Sequence, residues 1–185
     1  TLVDVRITDE KYLQECLQPI CESALRNKID MITIPLLEDS SVEDSDIRQK
    51  FKSLILKYAK KYANLKFSFE CELSIDKLWD ILELSDNFYV TYDTGNITSY
   101  GLDHSEYIDA FHQRISNIHL KDRTYDAKTV YPTTGDTDFA LIFDKLISIG
   151  YNGVYTLQTA RGKTGKEVIT TLQHKNILEG LYNAK

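Results

Sequence analysis

Short apolar segments alternate with helical segments along most of this 185-residue chain. Strands that alternate with helices of roughly 10 to 15 residues are typical of βαβ units, whose strands run parallel in one sheet. The alternation therefore predicts an α/β fold with five strands, near residues 29–37, 66–73, 88–93, 116–121 and 153–158. Helices are predicted at residues 9–27, 47–62, 75–84, 106–115, 139–149 and 167–182.

Length and composition fit one globular domain. Hydrophobic residues make up 42% of the sequence and charged residues 27%, which is enough apolar material for a core and too much for a disordered chain. The sequence contains no linker, repeat or low-complexity tract that would divide it. We therefore predict a single domain over residues 1–185.

Charge and missing motifs disfavour several classes of function. The net charge of −6 is opposite in sign to the basic face of a nucleic-acid-binding protein, so we predict no nucleic-acid partner. The sequence has no GxGxxG loop and no P-loop, so a nucleotide site is not indicated. No apolar run reaches the roughly 18 residues of a membrane span. Three cysteines without CxxC spacing argue against disulfides and thiolate zinc sites, so we predict a cytoplasmic protein.

Polar side chains stand at the C-terminal ends of four predicted strands. Successive side chains of a strand point to opposite faces, so Glu70, His119 and Gln158 lie opposite their apolar neighbours. Asp93 closes its strand and is followed by a predicted turn at residues 94–96. Ligands of parallel sheets and barrels bind at this end of the strands. One such residue alone is more often a cap or turn residue, but the pattern on four successive strands indicates a ligand site.

The remaining histidines carry no comparable signal. His104, His112 and His174 fall on predicted helices or loops. A histidine in such a place is more often a hydrogen-bonded core residue or a surface residue than a ligand. Among the four histidines, we therefore predict a ligand role for His119 alone.

Four short motifs and the last predicted strand resemble one known family. The motifs are Phe-Glu-Cys at 69–71, Tyr-Asp-Thr-Gly-Asn at 92–96, Ile-His-Leu-Lys-Asp-Arg at 118–123 and Gly-Asp-Thr-Asp-Phe at 135–139, with the strand region at 149–158. They resemble the xylose-isomerase-like TIM barrels, and among these the sugar phosphate isomerases and epimerases. The resemblance covers the chain from about residue 10 onward. It implies a (β/α)8 TIM barrel that is incomplete here, with only the fourth to eighth strands present.

The resemblance also implies one divalent metal ion. In this family the ion is held by a Glu, an Asp, a His and a second Glu from four consecutive strands, and the matching positions are Glu70, Asp93, His119 and Gln158. Gln158 departs from the pattern, because its amide oxygen can bind a metal ion but carries no charge and accepts no proton. Carboxylate, imidazole and amide ligands fit Mn, Mg, Co or Zn.

The activity implied by the resemblance is proton transfer next to the carbonyl of a small sugar or sugar phosphate. The metal ion polarises the carbonyl and stabilises the enediolate, and Glu70 is the matching catalytic base. The candidates for holding hydroxyl or anionic groups of the substrate are Lys121, Arg123, Arg161 and Asn96. Epimerisation generally needs a proton donor and an acceptor on opposite faces, whereas aldose–ketose isomerisation can move one proton on one face. Because Gln158 cannot transfer a proton, isomerisation is predicted in preference to epimerisation, unless Glu72 or Lys121 supplies the second group.

Two other functions stay open. The missing first three strands and Gln158 are compatible with a barrel remnant that has lost turnover. A metal-dependent phosphodiesterase like the apurinic endonucleases is disfavoured by the acidic charge and the single well-placed histidine. An incomplete barrel exposes two sheet edges. We expect them to be covered by residues 1–7, where Val3 and Val5 alternate with polar neighbours, or by another chain, as in a homo-oligomer.

Overall fold

The computed structural model describes residues 7–185, and its main sheet has five parallel strands. The strands are β1 (Met31–Leu36), β2 (Lys66–Cys71), β3 (Phe88–Asp93), β4 (Ile115–Leu120) and β7 (Val154–Leu157). They lie in the order β1-β2-β3-β4-β7, with parallel register between β1 and β2, β2 and β3, and β4 and β7. The predicted set of five parallel strands, adjacent in chain order, is confirmed.

Helices connect these strands, as expected for βαβ units. They are α1 (Glu10–Tyr12), α2 (Gln18–Arg26), α3 (Ser45–Lys61), α4 (Ile75–Leu82), α5 (Thr94–Tyr100), α6 (His104–Phe111), α7 (Phe139–Ser148) and α8 (Glu167–Asn183). A π-helical segment, Leu13–Leu17, joins α1 to α2, and a 3-10 turn, Glu38–Ser40, follows β1. The helix predicted over residues 9–27 is therefore continuous but changes its hydrogen-bonding pattern in the middle.

Three stretches differ from the prediction. Residues 94–96, predicted as a turn, begin α5, because the carboxylate of Asp93 caps the first turn of that helix. α6 begins at His104, two residues before the predicted start. A small antiparallel hairpin pairs β5 (Asp122–Arg123) with β6 (Thr129–Val130), in a stretch where strands of two residues leave no alternation to detect.

The chain divides into two compact units, one ending at Thr91 and the other running from Tyr92 to Lys185. The first unit packs α3 against β2 and β3 through phenylalanine rings. Edge-to-face contacts with centroids 5.1 to 6.2 Å apart join Phe51, Phe67, Phe69 and Phe88. Phe67 and Phe69 are two residues apart in β2 and therefore share the face that meets the helices.

The second unit is also built on aromatic packing. Tyr92 of β3 stacks on Tyr107 of α6 at 5.9 Å, and Tyr107 meets the edge of Phe111 at 4.7 Å. Phe143 of α7 contacts Tyr155 of β7 at 6.4 Å. These contacts hold α6 and α7 against the strands whose C-terminal ends carry the candidate site.

Asp80 joins α3 to α4 on the surface of the first unit. Arg48 Nε lies 3.3 Å from its carboxylate, and Lys52 Nζ forms a second ion pair with it. The hydrogen bond and charge of Lys52, with those of Arg48, hold the pKa of Asp80 below its usual value despite partial burial.

We expect Asp80→Asn to lower the free energy of unfolding at pH 7 by on the order of 1 kcal/mol, because the pair is partly exposed. A depressed pKa stabilises the folded state above the unfolded-state pKa, and this stabilisation disappears as the pH falls through the folded-state pKa. The difference between the variant and the parent should therefore shrink in urea titrations repeated in increasingly acidic buffer. The exposed Asp39 provides the control, since Asp39→Asn should leave stability unchanged at every pH. A difference for Asp80→Asn that persists in strong acid would contradict this account.

Across residues 7–185, we find no helix with the length and apolar character needed to cross a bilayer. Cys16, Cys21 and Cys71 form no disulfide within this range. Ile7 is buried, and the rest of the edge segment predicted over residues 1–7 lies outside the described residues, so that expectation stays a prediction.

Candidate metal centre

Asp93 has two carboxylate oxygens with different surroundings. Its side chain is 1% exposed, at the point where β3 ends and α5 begins. Oδ1 accepts the backbone N–H of Asn96 at 2.9 Å and so caps the first turn of the helix. This bond fixes the carboxylate plane and directs Oδ2 toward the end of β4.

Oδ2 of Asp93 faces a histidine and a lysine from β4 and the residue that follows it. His119 Nδ1 lies 3.9 Å from Oδ2, and Lys121 Nζ lies 2.8 Å from the same oxygen. Two ligand atoms that each lie about 2.0 to 2.2 Å from one ion are separated by roughly 3 to 4 Å, depending on the angle between the bonds. The spacing and chemistry of Asp93 and His119 therefore fit a shared divalent ion.

Strand pairing explains why the His119 side chain lies on the polar face of the sheet. β4 and β7 pair in register, with His119 opposite Thr156. Asn117, two residues before His119, lies on the same face, and its side-chain oxygen accepts the Thr156 hydroxyl at 3.1 Å. The alternation inferred from the sequence thus places His119 correctly.

Lys121 and Arg123 lie side by side over the start of α5. A Cβ atom at Gly95 would be 2.9 Å from Lys121 Cγ and 3.0 Å from Arg123 Cγ, so only glycine leaves room for both side chains. Lys121 Nζ also lies 3.4 Å from the side-chain oxygen of Asn96, and Arg123 Nη1 donates to Ser99 Oγ at 3.2 Å. Lys121, Asn96 and Arg123, all predicted to contact substrate, thus gather around the first turns of α5.

A buried carboxylate holds the loop that follows. Asp122 is fully buried and accepts three backbone N–H groups, from Thr134 at 3.0 Å, Gly135 at 2.9 Å and Thr137 at 3.2 Å. A Cβ at Gly135 would be 2.4 Å from Asp122 Oδ1, so glycine is required for this close approach. The anchored loop fixes the chain on both sides of Arg123.

Glu70 lies in the first unit, at the C-terminal end of β2, and is 5% exposed. A row of hydroxyl groups identifies its face of the sheet: Thr91 Oγ1 lies 2.6 Å from Ser68 Oγ and 3.2 Å from Thr33 Oγ1. Glu70 follows Ser68 by two residues and therefore points to the same face. The sequence predicted this orientation from the alternation with Phe67 and Phe69.

Gln158 and Arg161 lie beyond the end of β7, and both are exposed. The backbone N–H of Gln158 donates to the Leu120 carbonyl at 3.1 Å, so the chain still follows β4 at this point. Both residues border a cavity of about 300 Å³ against the first turns of α8. Their assignments as a metal ligand and a substrate contact stay predictions.

A sequence model described as the xylose isomerase-like TIM barrel matches residues 42–178. The chain belongs to this family. The five parallel strands accordingly form part of such a barrel, as the sequence motifs predicted.

Solved structures of xylose isomerase-like barrels share this fold at low sequence identity. A xylose isomerase domain protein from Alicyclobacillus acidocaldarius subsp. acidocaldarius is 15% identical with a TM-score of 0.76, and the match covers 98% of this chain and 75% of that protein. D-psicose 3-epimerase with D-tagatose, from Clostridium cellulolyticum H10, is 14% identical with a TM-score of 0.65 over 97% of this chain and 73% of that one. The IolI protein with a bound zinc atom is 16% identical with a TM-score of 0.74 over 94% and 72%. A search of curated proteins finds no match.

For His104, the structure agrees with the prediction of a hydrogen-bonded histidine rather than a ligand, and it adds the partners. The ring is engaged through both nitrogens, with Tyr92 Oη at 2.6 Å and Thr98 Oγ1 at 3.0 Å. Burial lowers the pKa of His104 to about 4. No local pattern could have indicated this, because its partners lie on two other elements, β3 and α5.

Proposed function

We propose that this protein is a divalent-metal-dependent isomerase that acts on a small sugar or sugar phosphate. The observation that carries the proposal is the buried pair of Asp93 and His119 at adjoining strand ends, 3.9 Å apart. Membership of the xylose isomerase-like family supports it, as do structural neighbours that include a sugar epimerase and a zinc-bound protein.

Glu70 is assigned as the third ligand and as the catalytic base. Support comes from its burial at the C-terminal end of β2 and from its place on the polar face of the sheet. With Asp93 and His119, Glu70 would supply two carboxylates and one imidazole, a donor chemistry that suits a divalent ion such as Mn, Mg, Co or Zn. Gln158 is assigned as the fourth ligand through its amide oxygen.

In the proposed reaction, the bound ion would polarise the carbonyl of the sugar and lower the energy of the transition state. Glu70 removes the proton from the hydroxyl-bearing carbon next to the carbonyl and returns it to the former carbonyl carbon, while the hydroxyl proton moves to the former carbonyl oxygen. Lys121 and Asn96 orient substrate oxygens beside Asp93, and Arg123 and Arg161 hold more distant hydroxyl or anionic groups. With Gln158 uncharged, one carboxylate serves one face of the substrate, which favours aldose–ketose isomerisation over epimerisation.

The remaining proposals concern partners and location. The acidic net charge of −6 supports a small-molecule substrate rather than a nucleic acid. Cysteines without disulfides support a reducing compartment, and we propose the cytoplasm.

Metal binding is the first test. Titration of the chelator-treated protein with Mn²⁺ in a calorimeter should give one site per chain, and His119→Ala should weaken binding at least about tenfold. His112→Ala is the matched control, because His112 is an exposed histidine and should leave the affinity unchanged. Equal affinity of the His119→Ala variant and the parent would refute the assignment of His119.

Activity is the second test. With Mn²⁺ and a panel of ketoses and ketose phosphates, we expect aldose formation with solvent deuterium entering at one carbon. Gln158→Glu should add epimerase activity, because it restores a second group able to transfer a proton. Robust C3 epimerisation that survives replacement of Glu72 and Lys121 would contradict the role assigned to Gln158. Metal binding without turnover on any sugar would support a remnant instead.

A further inference from the structure

We propose that His104 is a positioning residue for the candidate metal centre, acting by fixing the helix that begins at Asp93. The inference rests on the function proposed above and adds a residue whose ring is hydrogen-bonded to Tyr92 and Thr98, which are neither assigned ligands nor assigned substrate contacts. Its basis is a directed chain of hydrogen bonds that reaches both neighbours of Asp93 in the sequence.

The chain of hydrogen bonds runs from β3 through α6 to α5. Tyr92 Oη lies 2.6 Å from His104 Nδ1, and His104 Nε2 lies 3.0 Å from Thr98 Oγ1. Thr98 Oγ1 in turn donates to the Thr94 carbonyl at 2.8 Å. One imidazole ring therefore connects the last turn of α5 to the strand that precedes the helix.

The positions of the protons follow from counting donors and acceptors. A carbonyl oxygen only accepts, so the single hydroxyl hydrogen of Thr98 goes to Thr94. Thr98 must then accept from His104, which places a hydrogen on Nε2 and leaves Nδ1 to accept from the Tyr92 hydroxyl. A ring with hydrogens on both nitrogens would also satisfy the three contacts, but burial lowers the pKa of His104 to about 4 and excludes this charged form at neutral pH. His104 is therefore neutral and in one tautomer.

The two ends of this chain flank the candidate ligand. Tyr92 and Thr94 are the residues on either side of Asp93. Thr94 is itself tied to the next strand end, since its hydroxyl donates to the Lys121 carbonyl at 2.6 Å and accepts the Lys121 N–H at 3.0 Å. The Thr98 hydroxyl also lies 3.0 Å from that of Thr137, so releasing His104 would remove one of several ties on α5 and loosen the Asp93 oxygen that faces His119.

Burial supports this arrangement. It lowers the pKa of His104 to about 4, so the neutral ring persists through the range in which an ordinary histidine titrates. The ring also meets Tyr92 edge-on, with centroids 6.1 Å apart, which restricts its rotation.

Two substitutions of His104 test its hydrogen bonds to Tyr92 and Thr98 one at a time. In His104→Gln, the side-chain amide can donate to Thr98 from a position close to that of the imidazole Nε2. In His104→Asn, the shorter amide can accept from Tyr92 but cannot reach Thr98. Because the connection to α5 runs through Thr98, we expect His104→Asn to weaken Mn²⁺ binding about tenfold, within the range known for residues behind metal ligands. His104→Gln should bind within about threefold of the parent.

The control is His112→Asn, at the exposed C-terminal cap of the same helix, which should bind Mn²⁺ like the parent. Calorimetry gives the affinities, and urea unfolding gives the stability of each variant. Loss of affinity in proportion to loss of stability, or equal losses in the Gln and Asn variants, would overturn the positioning role.

A metal-free measurement keeps this inference separate from the proposed function. Hydrogen exchange of the Asn96 amide, which caps α5 on Asp93 Oδ1, should speed up in His104→Asn and stay slow in His104→Gln. If the parent bound no Mn²⁺, the proposed function would fail, and the exchange pattern would still decide whether His104 fixes α5. Unchanged exchange in both variants would refute the inference directly.

Discussion

Replacing Asp93 with asparagine should abolish tight metal binding and also destabilise the metal-free protein by about 3 to 5 kcal/mol. The Asp93–Lys121 pair is buried, with side chains 1% and 9% exposed, so the variant leaves the lysine ammonium without its counter-charge. Asparagine is as good a helix cap as aspartate, so α5 should keep its first turn. Urea unfolding in chelator and calorimetry with Mn²⁺ measure the two effects separately.

A double variant distinguishes the two roles of this carboxylate. Asp93→Asn combined with Lys121→Met removes both charges and should recover at least half of the lost stability, whereas metal binding should stay absent. Recovery of metal binding in the double variant would show that Asp93 is not a ligand. A single variant as stable as the parent would show that the buried ion pair contributes little.

The second large effect is expected at Asp122, where asparagine should lower the free energy of unfolding by about 3 kcal/mol. Both carboxylate oxygens accept backbone N–H groups, and Asp122 is completely buried. An asparagine offers one oxygen, and its NH2 group would face the remaining N–H donor without an acceptor. Urea unfolding at neutral pH measures the loss.

Asp136 in the same loop is the matched control. It is exposed and accepts a single backbone N–H, from Tyr125 at 2.8 Å. Asp136→Asn should therefore cost less than about 1 kcal/mol. Equal losses at Asp122 and Asp136 would mean that burial and the number of accepted hydrogen bonds do not determine the anchoring of this loop.

The strands could be predicted because apolar and polar side chains alternate within each of them. In β2, Phe67 and Phe69 alternate with Ser68 and Glu70 within six residues, and this pattern needs no knowledge of the rest of the chain. α5 could not be predicted in the same way, since Thr94, Gly95 and Asn96 are typical turn residues. Asp93 caps this helix through a local contact with Asn96, but the hydrogen bonds between the Thr94 hydroxyl and the Lys121 backbone depend on the neighbouring strand.

For the candidate site, too, the residues that could be predicted are those whose positions follow from a local pattern. The positions of Asp93 and His119 near strand ends were predicted because the end of a strand and the direction of its side chains are local properties. Gln158 was placed by extending the alternation of β7 by one residue, but β7 ends at Leu157 and the glutamine side chain is exposed. The hydrogen-bond partners of His104 could not be predicted, because they depend on how α6 packs against β3 and α5.

The two oxygens of Asp93 couple the folding of α5 to the binding of a cation at the candidate site. Oδ1 stabilises the folded form of α5, and Oδ2 is available to a cation only while that form persists. An ion that binds only the folded state at a hundred times its dissociation constant adds about 2.7 kcal/mol to the free energy of unfolding. The melting temperature should therefore rise with the concentration of a cation that binds there, and cations could be ranked by that rise before any substrate is known.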